Sequence, residues 1–148
     1  MTGVPEDDEQ ARRVWAALSS LVRRRDRRPA VSDALGMSFT RVKALLYTSR
    51  EPRTGRQLAT LLAIDAPYVS VIVDDLEQRG FVRREPHPTD RRAKLISVTA
   101  AGRRAAAKAE RVLYLPPEVL LALPPQDLEA LDRIVAKLAG SDPEPGGF

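Results

Sequence analysis

At 148 residues the chain has the length of one ordinary domain, enough to bury a core without disulfide or metal staples. It has no cysteine and one histidine, which excludes disulfide scaffolds, thiol chemistry and most metal sites, so neither a cofactor nor an enzyme is expected. No apolar run approaches the roughly 20 residues of a membrane span and the N-terminus carries no signal-peptide pattern; a soluble cytoplasmic protein without a membrane partner is expected.

The net charge of +4 understates how the charges are distributed. Residues 1–10 hold four acids and no base, and residues 115–148 hold six acids and two bases, whereas residues 11–114 hold 22 bases and 10 acids. The middle of the chain is suited to meet a polyanion. Of the 24 bases 20 are arginine, the side chain that forks onto phosphate or guanine.

In chain order, residues 1–8 read as a disordered acidic tail. An amphipathic helix is predicted over about 9–28, with Val14, Leu18, Leu21 and Val22 on one stripe and Pro29 as its end. A short segment with Val31, Ala34 and Leu35 stops at Gly36, and Ser38 caps a helix closed by Glu51-Pro52. Thr54 caps a very short helix to about Ala63, and Asp65 caps another with Pro67 in its first turn, core positions Val69, Ile72, Val73 and Leu76, and Gly80 at its end. Two short helices so joined make a helix-turn-helix.

Phe81–Glu85 and Lys94–Val98 read as strands flanking a basic tip, Pro86-His87-Pro88-Thr89-Asp90-Arg91-Arg92. A hairpin directly after the second helix defines a winged helix-turn-helix, mainly α with a small β wing. Thr99 caps an Ala- and Arg-rich helix to about Leu115. Pro116-Pro117 and Pro124-Pro125 isolate a short helix over 118–123, and a last helix starts near Pro125 with Leu128, Leu131, Ile134, Val135 and Leu138 on its stripe. Residues 140–148 read as a second tail.

Arg56-Gln57-Leu58-Ala59, Leu76-Glu77-Gln78-Arg79-Gly80-Phe81-Val82-Arg83-Arg84, Pro88-Thr89-Asp90-Arg91-Arg92 and Ser97-Val98-Thr99-Ala100-Ala101-Gly102-Arg103 together resemble MarR-type transcriptional regulators over roughly residues 9–139. The resemblance implies a homodimer. Its N-terminal region (9–36) and C-terminal helices (100–139) would interleave, while two winged domains (37–99) bind a pseudo-palindromic operator on double-stranded DNA. It further implies a repressor, released in some relatives by small phenolic ligands.

On that basis Ala66, Pro67, Tyr68, Ser70 and Val71, the early positions of the second helix not claimed by the core, are candidates for reading bases. Asp90, Arg91, Arg92, Arg84 and Lys94 are candidates in the wing, where a narrow minor groove attracts arginine, and Asp74 is the candidate to orient a wing arginine. Ser38, Arg41, Arg53, Thr54 and Arg56 are candidate phosphate contacts. Trp15 and Tyr47 are candidates for lining an effector cavity, with plain packing as the alternative. Relatives often carry bases where Val71 and Asp75 stand; here Asp74, Asp75 and Glu77 make the second half of the helix acidic. An architectural or protein-interacting winged helix of little sequence specificity is therefore the rival reading.

Overall fold

The computed structural model describes residues 8–141. Most helices start where a short polar side chain accepts an otherwise orphaned backbone N–H. Asp8 accepts from the N–H groups of Gln10 and Ala11 to open α1 (Glu9–Arg23), Ser38 from that of Arg41 to open α3 (Phe39–Arg50), and Thr99 from that of Gly102 to open α6 (Ala100–Leu113). Between α1 and α3 lies α2 (Arg28–Leu35).

The first helix ends five residues earlier than expected, at Arg23, and Pro29 begins α2 instead of ending α1. In the first turn of a helix proline loses no hydrogen bond, and its fixed φ suits the position. Asp26 supports the start by accepting from the Arg28 backbone N–H at 3.0 Å and its guanidinium at 2.8 Å. Arg27 donates to the Val112 carbonyl at 3.2 Å, tying this junction to α6.

Strand β1 (Arg53–Thr54), too short to carry an alternating pattern, leads into α4 (Gly55–Leu62) and then α5 (Ala66–Gln78). The hairpin β2 (Val82–Pro86) and β3 (Lys94–Val98) follows, its first strand one residue later than expected. The sheet is antiparallel in the order β1-β3-β2, with Arg53 opposite Ile96 and Arg84 opposite Ile96 from the other side. A three-stranded sheet thus replaces the two-stranded hairpin that the sequence suggests.

Three helices end alike. After α2, α4 and α5 the chain turns through a left-handed residue, Gly36 (φ 63°), Ala63 (φ 54°) and Gly80 (φ 76°). In each case the next N–H reaches back to the last turn: Met37 to Ser32, Ile64 to Ala59 and Phe81 to Leu76. These are Schellman ends, a site where glycine avoids the Cβ penalty. Ala63 bears that penalty inside the helix-turn-helix.

The core lies under the winged domain, where Val31, Val42, Leu45, Leu46, Leu58, Ile72, Val73 and Leu76 are essentially inaccessible. Buried Thr48 donates to the Ala44 carbonyl at 2.7 Å, so its hydroxyl costs nothing unpaired. Gly102 lets α6 settle on the hairpin, because a Cβ there would run into the Phe81 carbonyl oxygen and crowd Val98.

Beyond this core the picture changes. The connection to α7 (Glu118–Leu121) and α8 (Pro125–Ser141) is the short helix between proline pairs that the sequence predicts. Helices α1, α7 and α8 contribute no buried residue, and Val14, Trp15, Leu21, Val22, Ile134, Val135 and Leu138 stand exposed. The tails expected at 1–8 and 140–148 lie outside the described residues, apart from Asp8, which caps α1, and Gly140 and Ser141, which end α8. Among the described residues no single helix is long and apolar enough to cross a membrane.

Candidate nucleic-acid interface

The second helix of the pair, α5, is held by its first turn and by its buried face. Asp65 accepts from the Tyr68 N–H at 2.8 Å, and Val69, Ile72, Val73 and Leu76 enter the core. Opposite them Ala66, Pro67, Tyr68, Ser70 and Val71 are exposed together, as the helical spacing predicts. The preceding helix starts with a reciprocal capping box: Thr54 accepts from the Gln57 N–H at 3.2 Å, and the Gln57 side chain accepts from the Thr54 N–H at 2.9 Å.

The acidic second half of α5 is neutralised from outside the helix. Asp75 receives Arg41 at 2.8 Å and Arg79 at 2.9 Å, and Arg79 also donates to the Gly36 carbonyl at 3.2 Å. Hydrogen bonds from Arg79 and then Arg41 hold the Asp75 carboxyl below the usual aspartate range against the opposing effect of burial. Arg84 reaches Asp74 at 2.6 Å and Glu77 at 3.1 Å, and its own N–H donates to Glu77 at 3.1 Å. Asp74 therefore meets an arginine of the wing, but at the base of the hairpin and not at its tip. Arg41, Arg79 and Glu77, none of them expected here, complete the network.

The wing tip is shaped by side-chain acceptors. The Nδ1 of His87 accepts from the N–H groups of Thr89 (3.2 Å) and Asp90 (3.1 Å), which requires the tautomer with its proton on Nε2. Asp90 in turn accepts from the Arg92 N–H at 2.9 Å. The result is an ordered turn from which Asp90, Arg91, Arg92 and Lys94 stand out exposed. At the base of the wing, Arg83 and then Ser97 hydrogen-bond to Glu85 and hold its carboxyl below the usual range.

Between the start of α4, the exposed side of α5 and the wing runs a groove of about 660 Å³, bordered by Arg56, Ser70, Arg84, Arg92 and Lys94. The five residues expected at phosphates divide. Arg56 is exposed; Ser38 and Thr54 are both engaged as caps, Arg41 is held by Asp75, and Arg53 pairs with Glu51 at 2.7 Å with its side chain only 19% exposed.

Trp15 and Tyr47 do not come together. Trp15 is 71% exposed on α1, while Tyr47 is buried in the core from α3. Neither borders the groove of about 840 Å³ that runs between the α1–α2 junction and the α6–α7 connection, lined by Leu21, Val22, Arg24, Arg25, Leu113 and Leu120 among others.

Helix-turn-helix, capping sheet and basic wing on one side of a single core make this a winged helix-turn-helix protein. Residues 35–93 match the model of the MarR family. Among solved structures, the transcriptional regulator BldR of Sulfolobus solfataricus is 25% identical over 87% of this chain and 96% of that one, with a TM-score of 0.58. Wild-type MarR of E. coli is 20% identical (83% and 94% covered, TM-score 0.62), and the transcriptional regulator Tm0710 of Thermotoga maritima 23% identical (90% and 94% covered, TM-score 0.69). The chain thus matches the MarR family's model over residues 35–93 and shares its winged-helix fold with these solved structures.

Proposed function

We propose that the protein is a sequence-specific transcriptional regulator that acts as a homodimer and represses by occluding a promoter at a pseudo-palindromic operator. The observation that carries this reading is the shared aspect of three surfaces. Ser70 on α5, Arg92 and Lys94 of the wing, and Arg56 at the start of α4 border one groove, while the acids of α5 are paired with Arg41, Arg79 and Arg84. That pairing offsets the repulsion the α5 carboxylates would otherwise offer to phosphate. Exposed apolar stripes on α1 and α8 support dimerisation, because a second copy would cover them.

An effector, if the regulator has one, fits the groove beside the α1–α2 junction better than the neighbourhood of Trp15 or Tyr47. Leu21, Val22 and Leu113 offer an apolar floor and Arg24 and Arg25 a cationic rim, which suits a small aromatic or phenolic molecule with an anionic group. By linkage, such a ligand lowers DNA affinity when it prefers a dimer whose two recognition helices no longer match the operator.

The test is selection of bound fragments from sheared genomic DNA of the source organism at about 0.15 M salt, where non-specific binding is suppressed. One enriched inverted repeat is expected. Broad recovery without a motif would overturn the reading and favour an architectural winged helix.

A further inference from the structure

The chemistry of the exposed ridge of α5 decides which bases it can read. With 3.6 residues per turn, Pro67, Val71, Asp74 and Gln78 fall on one line directly opposite Val69, Ile72, Val73 and Leu76. Over Ala66–Gln78 the helix carries no basic side chain. The nearest arginines are committed elsewhere: Arg41 and Arg79 to Asp75, Arg84 to Asp74 and Glu77. Their side chains are only 22%, 34% and 30% exposed. The commonest specific contact in a major groove, an arginine or lysine forked onto guanine, therefore has no donor on this helix.

What the ridge offers instead is hydrocarbon. Val71 is 52% exposed at its centre, Pro67 lies one turn before it, and Ala66 precedes Pro67 at the exposed start of the helix. A half-exposed valine on a helix that meets solvent gains by covering apolar surface, and the one apolar group on the floor of a major groove is the C5 methyl of thymine. Asp74, next on the ridge, would otherwise select a cytosine amino group, but the Arg84 guanidinium already takes its Oδ1 and offsets its charge.

We propose that the recognition helix discriminates its operator through thymine methyl groups, with Val71 as the specificity-determining residue and Pro67 and Ala66 beside it. This rests on the sequence-specific reading above.

The experiment takes the operator recovered by selection and replaces each thymine in turn by deoxyuridine, which removes the methyl and keeps the base pair. Wild-type affinity is expected to fall about fourfold for each methyl that Val71 or its neighbours cover. For Val71→Ser the loss at the Val71 position disappears, and Val71→Thr, which keeps one methyl, restores part of it. Both substitutions sit on an exposed helix face with similar helix propensity, so folding is preserved. A specific operator whose binding is indifferent to deoxyuridine, or a Val71→Ser variant as sensitive as the wild type, overturns the proposal and leaves the regulator reading intact. Recovery of no operator at all overturns both.

Discussion

Asp75 shows how much of this surface depends on single side chains. Its carboxylate joins a residue of α3 to the end of α5, and both arginines that reach it depress its pKa. A depressed carboxyl contributes stability that is complete above the ordinary aspartate range and is lost as the pH falls through the lowered value. Asp75→Asn should therefore destabilise the fold by about 0.5–1 kcal/mol at pH 7, since the pair is partly exposed, and the gap to wild type should close toward pH 3. Denaturant midpoints at the two pH values check this. The local side of the picture was legible in the sequence: Ser38, Thr54, Asp65 and Thr99 cap the helices that they were expected to cap, because a cap involves residues three apart. The ion-pair network was not legible. Arg41 and Asp75 lie 34 residues apart, and only the packing of α3 against α5 decides that they meet. For that reason Arg41 looked available for phosphate in the sequence and is engaged in the fold.

Among the elements, the turn between α4 and α5 carries an avoidable cost. Ala63 occupies the left-handed position that Gly36 and Gly80 take elsewhere, with the same backward hydrogen bonds. Ala63→Gly should stabilise the protein by about 0.5–1 kcal/mol, the αL penalty less the added chain entropy of glycine, and a rise in the thermal midpoint would register it. A fall would mean that the alanine methyl packs to advantage. The sequence located this helix-turn-helix through its apolar stripes and caps, yet passed over β1, since two residues carry no alternation and Arg53–Thr54 becomes a strand only by pairing with β3. The wing is the other element with a prediction attached. Arg91→Ala and Arg92→Ala, made separately, should each weaken DNA binding and flatten the dependence of log K on log salt by about 0.9 for each phosphate that the variant no longer neutralises. Unchanged affinity in both would remove the wing tip from the interface.

At the scale of the whole molecule, the core takes in α2 and α6 along with the winged domain and stops there. Helices α1, α7 and α8 bury nothing of their own, while their stripes repeat Val14, Leu21 and Val22 at one end and Ile134, Val135 and Leu138 at the other. Light scattering at micromolar concentration should give twice the mass of the chain, and Val135→Asp together with Leu138→Asp should shift it toward the monomer while the winged domain keeps its secondary structure. A folded wild-type monomer at that concentration would defeat the dimer. The sequence signalled these stripes through their helical period, and the short first helix escaped it because Pro29 reads equally as a stop or a start.

The bridge through Arg79 has a further consequence. One guanidinium touches both the Asp75 carboxylate on the recognition helix and the Gly36 carbonyl at the turn between α2 and α3. The end of α5 is thereby tied to the N-terminal third of the chain, whose α2 also leans on α6. In the proposed regulator, a displacement of α2 would reach α5 through this one side chain, and operator preference would then be open to retuning from a place away from the double helix.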